Sequence, residues 1–354
     1  MGRTERWLRW VAGVAVGALA GFVCSRLHTP IPWMLGPLVA LAALRVSGLD
    51  ILAPPGARQV GQWIIGTTLG LYFAPQVIRD VAAAWPLLAL GALFAIAAGY
   101  IGGRVLARLS GVDRTTAVFA SVPGGATEMS VLGERFGARV DQVAAAQSLR
   151  ILVVVVVVPF AFAWLDAHGS DRYQPSSSAF DATRLAGLLA ATLAGGFVAH
   201  WRRVPNAFIL GALAVAIPLT ASAIPLSTMP APLSNAGQCL LGCTLGSRFE
   251  PDFLRGAPRF IAAVVATVLG AIATAAGFAW ALAWIAGYNP WTLGLGLAPG
   301  GMAEMCITAK MLQLGVPLVT AFHVTRMAVL LVCTAPLFAW LQRRRRARQG
   351  GSGR

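Results

Sequence analysis

The chain has 354 residues, of which 57% are hydrophobic and 12% charged, with a mean hydropathy of +0.71. A soluble domain carries roughly a quarter charged residues, so a water-soluble globular fold is excluded and the long apolar runs point to a polytopic helical membrane protein. The net charge of +15 does not indicate nucleic acid, because the basic residues are scattered through short loops, as the positive-inside rule requires.

Arg3, Arg6 and Arg9 precede an apolar run to Val23 without a small-x-small cleavage site. That start is expected to be an uncleaved first helix rather than a signal peptide. Apolar helices are predicted over about 7–27, 31–47, 58–78, 83–108 and 141–165. Between the fourth and fifth, at about 114–134, lies Pro123-Gly124-Gly125-Ala126-Thr127-Glu128-Met129. A polar linker, 166–183, contains Gln174-Pro175-Ser176-Ser177-Ser178. Helices are predicted again over about 184–200, 205–219, 233–249, 258–286 and 315–341. The second Pro-Gly-Gly segment falls at about 291–312. Residues 342–354 form a basic tail, whose run Arg343–Arg346 reads as a cytoplasmic stop in contact with anionic lipid.

The second half repeats the first. The segment Pro299-Gly300-Gly301-Met302-Ala303-Glu304-Met305 returns 176 positions after the first copy. Gly61-Gln62-x-x-x-Gly66-x-Thr68-Leu69-Gly70-x-x-Phe73-x-Pro75 recurs as Gly237-Gln238-x-x-x-Gly242-x-Thr244-Leu245-Gly246-x-x-Phe249-x-Pro251. Leu35-Gly36 returns as Leu210-Gly211, and Arg150 as Arg326. A first repeat over 1–165 and a second over 184–341 follow.

Proline and glycine interrupt helices, and broken helix at membrane depth is tolerated only where it faces protein or water. If each Pro-Gly-Gly segment is a re-entrant hairpin, each half has five spanning helices and the second half is inverted. Of the 28 basic residues, 21 then fall on one side, which suits the positive-inside bias better than two parallel six-helix halves. The expected fold is all-α: two inverted repeats, each of about five transmembrane helices and one re-entrant hairpin, with both termini cytoplasmic.

Two such breaks in matching halves point to a transporter's binding site, so Gly124, Gly125, Gly300 and Gly301 are candidate substrate contacts. Arg150 and Arg326, about ten residues into their helices, suit an anionic group or an ion pair with the glutamates. Glu128 and Glu304 either couple protons or cap their own hairpins. His323, matched by Gln147, is a candidate proton relay or a plain hydrogen-bonding residue. Gln62 and Gln238 either face a cavity or belong to close-packed small-residue helices. The five cysteines, Cys239 and Cys243 included, read as packing residues. No metal spacing, P-loop or nucleophile elbow occurs, so neither an enzyme nor a cofactor is expected.

The paired Pro-Gly-Gly-x-x-Glu-Met and Gly-Gln-x-x-x-Gly elements, with Arg150 and Arg326, resemble the duplicated membrane family called AbrB over about residues 8–341. Members also carry the labels putative ammonia monooxygenase and AbrB family transcriptional regulator. The dispersed histidines do not suit a copper oxygenase, and no DNA-binding domain fits in the chain. The resemblance implies a label of regulation of gene expression. The architecture also resembles the cation–proton antiporter and anion transporter grouping, which implies secondary transport. The paired intramembrane aspartates of antiporters are absent, which argues against sodium coupling. The expectation is a proton-coupled secondary transporter of a small anionic solute in a bacterial inner (plasma) membrane. A membrane-embedded regulator acting through a partner is the alternative. Expected partners are a solute and membrane lipid, with no nucleic acid; a homodimer is left open.

Overall fold

The computed structural model describes residues 3–169, 179–222, 224–249 and 258–350. The linker run Gln174–Ser178, Pro251 of the repeated element and the last four residues of the tail lie outside them. The first half contains α1 (Arg3–Arg26), α2 (Pro32–Val46), α3 (Ala57–Gly70), α4 (Pro75–Ala83), α5 (Trp85–Ser110), α6 (Arg114–Ser121), α7 (Ala126–Arg135) and α8 (Val140–Trp164). The second contains α9 (Ala182–Trp201), α10 (Ala207–Ala221), α11 (Ala231–Gly246), α12 (Pro258–Ala286), α13 (Pro290–Leu297), α14 (Met302–Met311) and α15 (Val316–Gly350). The described residues contain no strand. The repeat extends to element boundaries: α6 and α7 shifted by 176 positions coincide with α13 and α14.

Six helices, α1, α5, α8, α9, α12 and α15, are long and apolar enough to cross a membrane. The chain is therefore a multi-pass membrane protein in type. The other four helices expected to span are shorter: α2, α3, α10 and α11 have 15, 14, 15 and 16 residues. At 1.5 Å per residue they reach only about 21–24 Å, against a hydrocarbon core of about 30 Å. The predicted third helix, 58–78, is in fact two. It stops at Gly70 and restarts at Pro75, whose missing N–H and fixed φ suit a first helical turn. The last helix does not end near 341 but continues through the arginine run to Gly350, arginine being a good helix former.

The two repeats do not form separate bodies. One bundle combines α1–α3 with α9–α11, and a second combines α5–α8 with α12–α15. They meet chiefly where α3 touches α14 and α15.

Small residues set the crossings. A Cβ on Gly61 would lie 2.8 Å from both the Gly237 carbonyl and Leu241, so α3 and α11 cross backbone to backbone. Gly61 faces Leu241 while Gly237 faces Ile64, so these equivalent helices run antiparallel. Phe94 stacks on Phe278 at 4.4 Å between centroids, and Gly102 lies beside Thr267. The equivalent pair α5 and α12 therefore also runs antiparallel. By contrast, Gly242 abuts Met34 and Gly246 abuts Leu38, which makes α2 and α11 parallel. The same holds for α3 and α10, where Gly66 meets Ile209 and Gly70 meets Ala216.

Candidate functional site

Each Pro-Gly-Gly segment turns a short helix back on itself. In the first half, Asp113 caps α6 by accepting the Thr116 N–H at 2.9 Å, and Thr116 Oγ1 accepts the Arg139 N–H at 2.9 Å. The chain entering at α6 thus returns to the same level at the end of α7. In the second half, Asn289 caps α13 by accepting the Trp291 N–H at 2.9 Å. Thr292 Oγ1 accepts the Gly315 N–H at 3.3 Å. Thr292 and Gly315 are the repeat counterparts of Thr116 and Arg139.

The tips are tied by the arginines. Arg150 donates through Nη1 to the Val122 carbonyl at 3.2 Å and through Nη2 to the Gly124 carbonyl at 3.0 Å. Arg326 donates to the Ala298 and Gly300 carbonyls, both at 2.6 Å. The Val122 and Ala298 carbonyls are the C-caps of the half-helices α6 and α13, where the dipole is negative and cations are favoured; the Gly124 and Gly300 carbonyls belong to the break itself. Of the two alternatives for the arginines, an ion pair with the glutamates is not what forms. Among the described residues neither arginine makes a salt bridge to Glu128 or Glu304. Gln147 repeats the theme, donating to the Phe119 and Val122 carbonyls at 2.8 and 2.9 Å. His323 Nε2 lies 3.1 Å from the Leu295 carbonyl. A carbonyl can only accept, so Nε2 carries the proton, and in the neutral ring Nδ1 is left as an acceptor.

The motif's last two residues explain its two glycines. A Cβ on Gly124 would lie 2.6 Å from Met129 Cγ, and one on Gly300 would lie 2.8 Å from Met305 Cγ. A Cβ on Gly125 would collide with the Glu128 carboxylate, and one on Gly301 with that of Glu304. Both second glycines are helix N-caps in ordinary extended backbone, with φ of −69° and −78°. They supply space rather than conformational freedom. The carboxylate at the third helical position folds back over the N-terminus, where negative charge is stabilised.

The tips meet at a polar cavity of about 830 Å³ between the two bundles. Gly124, Gly125, Gly300, Gly301, Arg150, Arg326, Glu304, His323 and Gln62 all line it. Gln238 does not; it is buried within α11. Glu128 is not among the lining residues either, and is partly buried.

Arg58 and Arg248, which count in the sequence only toward the scattered basic residues, both line the cavity, as do Asn206 and Thr244. Asn206 Oδ1 accepts from Arg58 Nη2 at 2.8 Å and from Gln62 Nε2 at 3.0 Å. The signal was available in the spacing. Arg58 precedes Gln62 by four residues and Arg248 follows Thr244 by four, which puts each on its neighbour's helical face.

Among the described lining residues, four arginines face one carboxylate. The buried Nε atoms of Arg150 and Arg326 and Nδ1 of His323 have no hydrogen-bond partner. A buried donor or acceptor left unmade is costly, so the two Nε–H donors and the Nδ1 acceptor are available to an occupant. The arrangement suits a small anion.

The family described as “Transition state regulatory protein AbrB” matches residues 33–342. The chain belongs to this AbrB family. Among AbrB-like relatives, the uncharacterized protein YhjN of Bacillus subtilis (strain 168) is 28% identical over 366 residues, covering 96% of this chain and 95% of YhjN. The putative regulator AbrB of Escherichia coli (strain K12) is 23% identical over 334 residues, covering 94% of this chain and 96% of that protein. The AbrB-family match spans both Pro-Gly-Gly segments and both arginines.

Proposed function

We propose that this AbrB-family chain is a proton-coupled secondary transporter of a small anionic solute, without a catalytic step. Its repeats are inverted. Ten helices cross a bacterial inner (plasma) membrane, the four short ones, α2, α3, α10 and α11, packed on one another within their bundle where non-helical ends meet protein rather than lipid; two hairpins are re-entrant, and both termini are cytoplasmic. The observation that carries the proposal is the shared cavity. Two helix breaks from matched positions of a duplicated chain meet at one polar chamber rich in arginine, the arrangement expected of a transporter's midplane site. The inverted reading is supported by the antiparallel crossings of α3 with α11 and of α5 with α12. The re-entrant reading is supported by the Thr116–Arg139 and Thr292–Gly315 closures.

In this mechanism Arg150 and Arg326 fix the tips through their Nη atoms and offer Nε–H to the anion. Glu304 and His323 Nδ1, both facing the cavity, exchange the proton. Glu128 takes the role of Glu304 when the opposite face is open, as the repeat equivalence requires. The moving unit is a bundle containing helices of both repeats, rather than one repeat against the other.

Metabolite profiles of deletion and overexpressing cells should differ in one small anion. Its flux into proteoliposomes should be lost in Arg326→Ala and should lose its pH dependence in Glu304→Gln. Unchanged flux in both variants refutes the assignment. The description of the family and the name of the E. coli relative carry the alternative, a membrane-embedded regulator of gene expression acting through a partner. It requires a regulatory effect that persists in variants without flux.

A further inference from the structure

The two access routes implied by a duplicated chain are chemically unequal. In the state described, the route to the hairpin tips passes Arg58, Thr244 and Arg248, all partly exposed and all lining the cavity. Arg58 opens α3 and Arg248 follows α11; the two helices run antiparallel, so both arginines stand at the same end of the crossing. Their counterparts under the 176-residue shift are Ser234 for Arg58, Thr68 for Thr244 and Tyr72 for Arg248. All three are buried, at 4%, 4% and 8% exposure. Asn206, which holds Arg58, is matched by Ile31 under the 175-residue shift that relates Leu35-Gly36 to Leu210-Gly211, and both cap their helices in the left-handed region with φ of 48° and 42°. The backbone is thus duplicated faithfully, while the charge at the mouth is not.

We propose that Arg58 and Arg248 form a one-sided anion-capture mouth. Solute is admitted with high affinity from the basic, cytoplasmic face and released through an uncharged mouth built from Ser234, Thr68 and Tyr72. The inference rests on the transporter reading above. Fixed positive charge in a cleft with low-dielectric walls raises the local anion concentration and its on-rate. Exchange of conformations between inverted repeats brings the uncharged set to the other face. With an inside-negative membrane potential, efflux of an anion is also electrically downhill, so the two asymmetries act in the same direction, toward export.

The test needs no knowledge of the solute. In full-length protein with the five native cysteines replaced, Thr244→Cys is reacted with anionic sulfonatoethyl and cationic trimethylammonium-ethyl methanethiosulfonate. Rates are normalised to those of a free thiol. In inside-out vesicles the anionic reagent should react at least about tenfold faster. The preference should collapse in Arg58→Gln/Arg248→Gln and persist in Arg58→Lys/Arg248→Lys, which keeps the charge. From the outside, Thr68→Cys should show no anion preference or no reaction. Equal anion preference at positions 68 and 244, or a preference unmoved by the glutamine pair, overturns the one-sided mouth. Labelling of position 244 from the outside alone refutes instead the topology on which it rests.

Discussion

The second glycine of each motif is assigned to space for a carboxylate, and this has a consequence opposite to the usual reading of glycine in a helix break. Gly301→Ala places a methyl group where the Glu304 carboxylate lies. Overpacking of this kind costs about 1–3 kcal/mol. If the carboxylate leaves instead, the helix loses a favourable N-terminal charge and cap, worth about 0.5–2 kcal/mol. In a Glu304→Ala background the obstacle is gone. Two small terms then remain: the chain-entropy gain of Gly→Ala, about 0.4–1 kcal/mol at a compatible φ, and a comparable loss because alanine is a poorer N-cap. The backbone at Gly301, φ −78° and ψ 155°, suits alanine, so the net effect there should fall within about 0.5 kcal/mol. A double-mutant cycle should show a coupling of roughly 1–2 kcal/mol. Thermal unfolding in detergent, followed by the fluorescence of the 11 tryptophans, measures it. If Gly301→Ala costs the same in both backgrounds, the glycine serves the backbone and the explanation of the motif is wrong. The Gly125 and Glu128 pair should behave in the same way.

Further outcomes follow from the same geometry. Arg326→Lys keeps the charge but cannot fork to two carbonyls, and loss of one charged hydrogen bond should lower stability by about 1.5–3 kcal/mol in the same unfolding assay. Gly61→Ala inserts a methyl group 2.8 Å from the Gly237 carbonyl and should cost about 1–3 kcal/mol, whereas Gly187→Ala, with nothing within 4 Å, should be neutral or stabilising. A short thiol cross-link between Phe94→Cys and Phe278→Cys stays within one bundle and should spare flux. One between Asn206→Cys and Met327→Cys, whose side chains lie 3.3 Å apart across the bundles, should abolish it; equal effects would exclude relative motion of the bundles. Cysteines replacing Arg45 and Arg202 should label from the same face of the membrane, and labelling from opposite faces would end the inverted-repeat reading.

The duplication was legible because it is written in residues that packing cannot replace. Glycines at a backbone crossing, prolines at a break and arginines at buried carbonyls leave sparse but exact-register marks, and the elements they head, α6 with α13 and α7 with α14, agree in length. The candidate site was legible to the same extent: of the residues singled out for it, only Gln238 and Glu128 lie off the cavity. What the sequence hid is of two kinds. The break between α3 and α4 carries only Pro75 as a marker, within a run whose hydropathy is continuous. The mixing of both repeats in each bundle depends on which helix faces another across the chain, and periodicity is silent on that. Arg58 and Arg248 were obscured differently, because a search for repeated residues discards whatever the repeats do not share. Those discarded positions are where a duplicated chain can acquire direction. A two-fold pair of mouths with equal chemistry would bind a solute equally from both faces, and any preference must come from residues that break the repeat. Here the charged breaks at the cavity mouth are two arginines, one held by an asparagine, while His323, matched by Gln147, breaks the repeat deeper, at the hairpin tips; the residues least visible to repeat analysis are the ones expected to distinguish the two sides.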